Sequence, residues 1–204
     1  MLFNDTYKTI SNPCQGIFSD RGSKFIANGF PIKSDEGVKK LLAIVKTEHP
    51  KARHHCWAMR LSPDRSIFKL NDDGEPSGTA GRPILNTLLS FDVTNILIVV
   101  TRYFGGTLLG VPGLINAYKS ATINALNNCQ IISRTLYDVY RLDFKYDQMN
   151  AVMKILKDED LIVSNQLFDN VCSLDIEIRK LIINTIIGKL NKVESLKLTY
   201  LNSS

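Results

Sequence analysis

The clearest pattern of apolar and polar positions lies in the last third of the chain. From Tyr140 to Lys145, Tyr140, Leu142 and Phe144 alternate with Arg141, Asp143 and Lys145, which predicts a half-buried strand. Met149, Val152, Met153 and Leu156 then recur at i, i+3, i+4 and i+7, the stripe of an amphipathic helix, with Asp147 placed to cap it. Leu161 to Phe168 and Val171 to Arg179 read as a hairpin turning at Asp169-Asn170. Ile183, Ile186, Ile187 and Leu190 give another helical stripe, and Leu196, Leu198 and Tyr200 a final alternating strand. The order is βαββαβ, the ferredoxin-like pattern of an antiparallel sheet with two helices on one face.

The first part predicts a second α+β unit. Ile17 to Ile32 offers two short strands around Asp20-Arg21-Gly22, and Val38, Leu41, Leu42 and Val45 mark a helix that Pro50 ends. His54 to Leu61 and Ser66 to Leu70 read as strands joined through Ser62-Pro63-Asp64. Ile84 to Leu89 is a short helix. Ile96 to Thr101 is a nearly continuous apolar run, suited to a strand buried on both faces. Leu114, Ala117, Tyr118, Ala121 and Ala125 line one side of a further helix. The polar stretch at Ser133-Arg134 is too short for a flexible linker and sets the expected boundary between a domain over residues 1–133 and one over residues 134–204. The expected fold class is therefore α+β, in two domains.

Composition narrows this without changing it. With 44% hydrophobic and 22% charged residues the chain is an ordinary globular one, and no stretch approaches the roughly 20 apolar residues of a membrane span. Met1 to Gly16 carries Asp5, Lys8 and Pro13 and has no apolar core of a secretory signal, so a cytoplasmic location is expected. Cys14, Cys56, Cys129 and Cys172 show no C-x-x-C spacing and are expected to be reduced, with Cys56 and Cys172 buried in strands. Charge is uneven: residues 1–133 hold 15 basic against 10 acidic residues, and residues 134–204 hold 10 of each. A basic half can attract nucleic acid or another acidic partner, or serve solubility alone.

Two glycine-rich segments are candidates for chemistry. In Asn71-Asp72-Asp73-Gly74-Glu75-Pro76-Ser77-Gly78-Thr79-Ala80-Gly81-Arg82-Pro83, a helix start at Arg82-Pro83 follows free loop N–H groups that can hold an anion, with Arg82 in support. The competing reading is structural: glycines for turns, and Asp72, Asp73 and Glu75 capping neighbouring N–H groups. The second segment, Thr101 to Leu114, passes from a strand into a helix but holds neither G-x-x-x-x-G-K-[ST] nor G-x-G-x-x-G, which excludes an ordinary nucleotide-binding turn. Arg102 and Tyr103 could bind phosphate and stack on a base, or Tyr103 and Phe104 could cap the core. In His54-His55-Cys56, strand alternation puts His54 and Cys56 on one face and His55 on the other. Two ligands are too few for a metal site, so no metal or cofactor is expected.

Taken together, Ser23-Lys24-Phe25-Ile26, Arg53-His54-His55-Cys56, the Asp72 to Pro83 loop and Arg102-Tyr103-x-Gly105-Gly106-x-x-Leu109-Gly110 resemble the signature of the YigZ/Impact family, in its bacterial two-domain form. The resemblance implies a ribosomal-protein-like, βαβ-containing first domain and a ferredoxin-like second one. It also implies a link to translation, because eukaryotic relatives regulate initiation through a ribosome-associated activator. Pro112 departs from the family, which often has a glycine there; without an N–H it removes one donor from any anion cradle.

The leading expectation is a non-catalytic protein that regulates translation by contacting RNA, the ribosome or a translation-associated protein. The residues expected to serve are Asp72, Asp73, Glu75, Gly78, Thr79, Gly81, Arg82, Arg102, Tyr103 and His54. The alternative is an enzyme or sensor that binds a small phosphorylated or carboxylate ligand at the Asp72 to Pro83 loop, with His54 or the loop carboxylates as acid–base groups.

Overall fold

A computed structural model describes residues 5–169 and 171–203. In chain order its elements are β1 (Thr6–Ile10), β2 (Cys14–Asp20), β3 (Ser23–Pro31), α1 (Glu36–Glu48), β4 (His54–Leu61), β5 (Ile67–Asn71), α2 (Gly81–Ser90), β6 (Ile96–Tyr103), α3 (Gly110–Asn127), β7 (Ile131–Thr135), β8 (Tyr137–Lys145), α4 (Met149–Asp158), β9 (Ile162–Leu167), β10 (Val171–Arg179), α5 (Ile183–Leu190) and β11 (Lys197–Ser203). The chain forms two compact units, one of residues 7–134 and one of the residues from 135 on together with Asp5 and Thr6. The α+β class holds for both. Asp5 belongs with the second unit because its buried carboxylate accepts two hydrogen bonds from Arg179, at 3.0 and 3.2 Å, and one from the Leu181 N–H.

In the first unit a five-stranded antiparallel sheet runs in the order β2-β3-β6-β4-β5. The apolar run of β6 is explained by its central place. Ile96, Ile98 and Val100 face a core shared with α2 and α3, whereas Leu97 and Val99 face a smaller core completed by Val38 and Val45 of α1. Each side chain from Ile96 to Val100 therefore meets apolar neighbours, and no alternation survives over that run. β1 and β7, which carry no clear alternation, pair as a separate two-stranded sheet. The structure corrects the expectation of four reduced cysteines: Cys14 at the start of β2 and Cys129 just past α3 form a disulfide, with Cα atoms 5.3 Å apart. Sequence spacing gave no sign of it, since 115 positions separate them. Cys56 and Cys172 are free and buried.

The second unit is the expected βαββαβ sheet, in the order β11-β8-β10-β9. Cys172, Leu174, Ile176 and Ile178 of β10 and Leu142 and Phe144 of β8 bury one face against Val152 and Leu156 of α4 and Ile186 and Leu190 of α5. Across β8 and β10, Arg141 sits opposite Asp175 and donates two hydrogen bonds to its carboxylate, at 2.8 and 3.0 Å. Asp147 lies within a 3₁₀ turn, Tyr146–Gln148, so Gln148 takes the position before α4 that Asp147 was expected to hold. The expected turn at Asp169-Asn170 falls in part on Asn170, outside the described residues. Among the described residues no helix is long and apolar enough to cross a membrane.

Candidate functional site

The Asp72 to Pro83 loop is organised around its own acids. Asp72 accepts hydrogen bonds from the backbone N–H groups of Gly78 at 2.9 Å, Ala80 at 3.0 Å and Gly81 at 2.8 Å, so one carboxylate closes the loop and caps the start of α2. Gly78 makes this possible with a φ of +77°, a left-handed conformation that an L side chain resists. The anion expected at this helix N-terminus is thus supplied from within the chain, where it cancels the exposed positive end of the helix dipole. The Thr79 hydroxyl donates to the Pro76 carbonyl at 2.7 Å, and the Thr79 N–H reaches the same oxygen at 3.0 Å. Asp73 accepts from the His55 N–H at 2.7 Å, and its own carbonyl lies 2.9 Å from His54 Nδ1. Asp72 and Asp73 thus bind neighbouring N–H groups in the way the structural reading of the loop describes.

Glu75 points the other way, into the core. Its Oε1 accepts from Arg102 Nη1 at 2.6 Å and from the Tyr118 hydroxyl at 2.8 Å, and the Cys56 thiol lies 3.2 Å from that hydroxyl. Burial pushes the Cys56 thiol far above its ordinary range, and burial likewise raises Tyr118. A thiol held in its neutral form is no nucleophile. Tyr118 had been legible only as one apolar position on a helix; its hydroxyl was the signal.

Strand register aligns Phe25, Arg102 and His54 in one row across β3, β6 and β4. Arg102 and His54 of this row line a cleft of about 650 Å³, together with Lys51, Arg53, Tyr103, Phe104 and Leu108. Among the described residues no carboxylate lines it. Lys51 and Arg53 are exposed, while Arg102 is buried against Glu75. Tyr103 leaves β6 on the opposite face, where its hydroxyl and His49 Nδ1 share a hydrogen bond of 3.0 Å. His55 lies on that face too, and burial holds its pKa below the ordinary 6.5.

Of the expected site residues, the fold gathers His54 and Arg102 at the cleft, and Tyr103 borders it with its hydroxyl turned to His49 on the opposite face. Asp72, Asp73, Glu75, Gly78, Thr79 and Gly81 make its supporting loop. Arg82 lies elsewhere, exposed in a groove of about 420 Å³ between α2 and α3, with Pro83, Thr87, Ile115 and Lys119. That groove is walled mainly by uncharged groups, so the basic cleft is the better candidate for an anionic partner. Lys51 had no motif to announce its place at the cleft, and Phe104 and Leu108 stood at open positions of the second glycine-rich motif; loop geometry brings them there. Among the described residues no group of three His, Cys, Asp or Glu is placed to hold a metal.

The model of the Impact N-terminal domain matches residues 21–126, the segment that holds the cleft and both glycine-rich loops. IMPACT family member YigZ of Escherichia coli is 38% identical over 136 residues, covering 66% of this chain and 67% of that protein. A crystal structure described as that of a hypothetical protein covers 98% of this chain and 99% of its own at 29% identity, with a TM-score of 0.69. The structure of a protein described as the two-domain translational regulator Yih1 covers 62% of this chain and 48% of its own at 28% identity, and its TM-score of 0.36 is too low to describe the fold. The motifs read from the sequence, the matched domain model and the 38% identical relative agree: this chain belongs to the IMPACT family.

Proposed function

We propose that the chain is a non-catalytic binding protein that acts on translation by contacting RNA through the cleft of Lys51, Arg53, His54 and Phe104. The observation that carries this reading is the cleft's lining: exposed cations beside the exposed Phe104 ring, with no carboxylate among the described lining residues. Cations recruit a phosphate backbone and rings accept bases, a combination suited to RNA and poorly suited to an apolar or cationic partner. The excess of basic residues in the first 133 positions adds a field of the same sign. A link to translation is what the family resemblance implies.

A non-catalytic role is favoured because Asp72, Asp73 and Glu75 are committed to N–H groups, Arg102 and Tyr118, leaving the loop no free carboxylate for proton transfer. The small-ligand alternative loses its main support for the same reason, since Asp72 occupies the donors that would hold the ligand.

The test is equilibrium binding of the full chain to labelled RNA across a salt series. Affinity should fall steeply with salt, and replacing Lys51 and Arg53 together with alanine should lower the slope of log K against log salt by about 1.4, at roughly 0.7 per phosphate contact on a single strand. RNA binding that is absent, or indifferent to both substitutions, would remove the reading.

A further inference from the structure

We propose that Phe104 is a preformed platform on which one unpaired RNA base stacks. The inference rests on the RNA reading above and adds to it the kind of RNA and the atom group that receives it. The Arg102 guanidinium lies 5.5 Å from the ring centroid of Phe25 and 5.6 Å from that of Phe104. A ring, a cation and a second ring therefore stand in sequence. Phe25 is fully buried at the inner end, and Phe104 is 56% exposed at the outer end, within the cleft lining.

Each member is held. Glu75 fixes Arg102 from the side, and the β3–β6 register fixes Phe25 opposite it. The residue after Phe104 is clamped as well. A Cβ on Gly105 would stand 1.9 Å from the Gly22 carbonyl carbon, so only glycine lets the two backbones approach this closely. The Gly105 N–H donates to Ser23 Oγ at 3.1 Å, tying the segment to the start of β3. Phe104 is thus an exposed aromatic with a rigid mount, and a core cap would be buried instead.

The chemistry selects the occupant. A cation beneath one face of a ring draws on its electron density, which favours an electron-rich π-system on the other face. Purine bases are such systems, and Lys51 and Arg53 stand in the same cleft to meet the attached phosphates. A base inside a duplex is already stacked on both sides and cannot lie on Phe104 without leaving the helix. Single-stranded RNA is the predicted ligand, with adenine preferred over uracil.

The experiment compares full-length wild type, Phe104→Ala, Phe104→Trp and the Lys51→Ala/Arg53→Ala double variant. Probes are an adenosine 10-mer, a uridine 10-mer and a blunt 10-base-pair RNA duplex, each fluorescently labelled. A fourth probe is an adenosine 10-mer containing 2-aminopurine, whose emission changes when it stacks. Phe104→Ala should weaken single-strand binding by roughly five- to a hundredfold without changing the salt slope, and should abolish the 2-aminopurine response. Phe104→Trp should restore both. Phe104→Ala equal to wild type, with loss in the double variant, overturns the platform and leaves the electrostatic reading standing. Failure of Phe104→Trp to restore binding, or equal affinity for the duplex, also overturns it. A wild type that binds none of the RNAs overturns both.

Discussion

Glu75 and Arg102 are 27 positions apart in sequence and meet through a hydrogen bond of 2.6 Å, with only 3% and 7% of their side chains exposed. One residue comes from each glycine-rich segment. The pair makes a single structure of two loops that look independent in the sequence, and it places the acid loop behind the cleft rather than in it. Removing Glu75 would strand a buried guanidinium.

Glu75→Ala should therefore destabilise the first unit by about 3–5 kcal/mol, the usual consequence of breaking a buried ion pair. In a double-mutant cycle with Arg102→Ala the two losses should be far from additive, because both substitutions remove the same interaction. Urea denaturation followed by Trp57 fluorescence measures this, since Trp57 is the only tryptophan and lies on β4 of that unit. Additive losses would show that the pair does not act as a unit.

Asp72→Ala should cost about 2 kcal/mol, as three backbone N–H groups lose their acceptor at the start of α2. The vacated cap should then attract a free anion. Sulfate should raise the thermal midpoint of the variant more than that of wild type, whose donors are already occupied. Equal shifts in the two proteins would argue against Asp72 as the resident anion.

Acid should weaken the two units at different pH. Burial holds His55 below its ordinary pKa of 6.5, so the unfolded chain takes up a proton there that the folded one refuses. Stability of the first unit should decline as pH falls below about 6.5. In the second unit, hydrogen bonds from Arg141 lower the pKa of Asp175, and those from Arg179 lower that of Asp5, from an ordinary 3.8. Their contribution is complete above that value and is lost as pH drops through the lower folded one. Hydrogen exchange measured from pH 7 to 3.5 should show the first unit loosening before the second, and His55→Gln should remove the earlier step. Simultaneous loss of both units would contradict the assignment.

Much of the fold was legible where one rule governs a segment. The β10 strand reads Cys172, Leu174, Ile176, Ile178 with polar residues between, because one face meets helices and the other does not. The stripe of Val38, Leu41, Leu42 and Val45 likewise announced α1. By contrast β1 and β7 carry mixed burial and no period, so their pairing could not be read. Arg82 at a helix start and Arg102 at a strand end were both expected to meet an anionic partner. One is exposed and the other buried against a carboxylate.

The sequence by itself determined the α+β class, the βαββαβ second unit and the family, because periodicity and motif order are local properties of the chain. Tertiary structure alone decided what each polar residue does. Whether Asp72 holds a ligand or its own helix, whether Arg102 is free or paired, and whether Cys14 finds Cys129 depend on which distant groups come within a few ångströms. Hydrogen bonds and ion pairs act only at that range, and no spacing along the chain reports it.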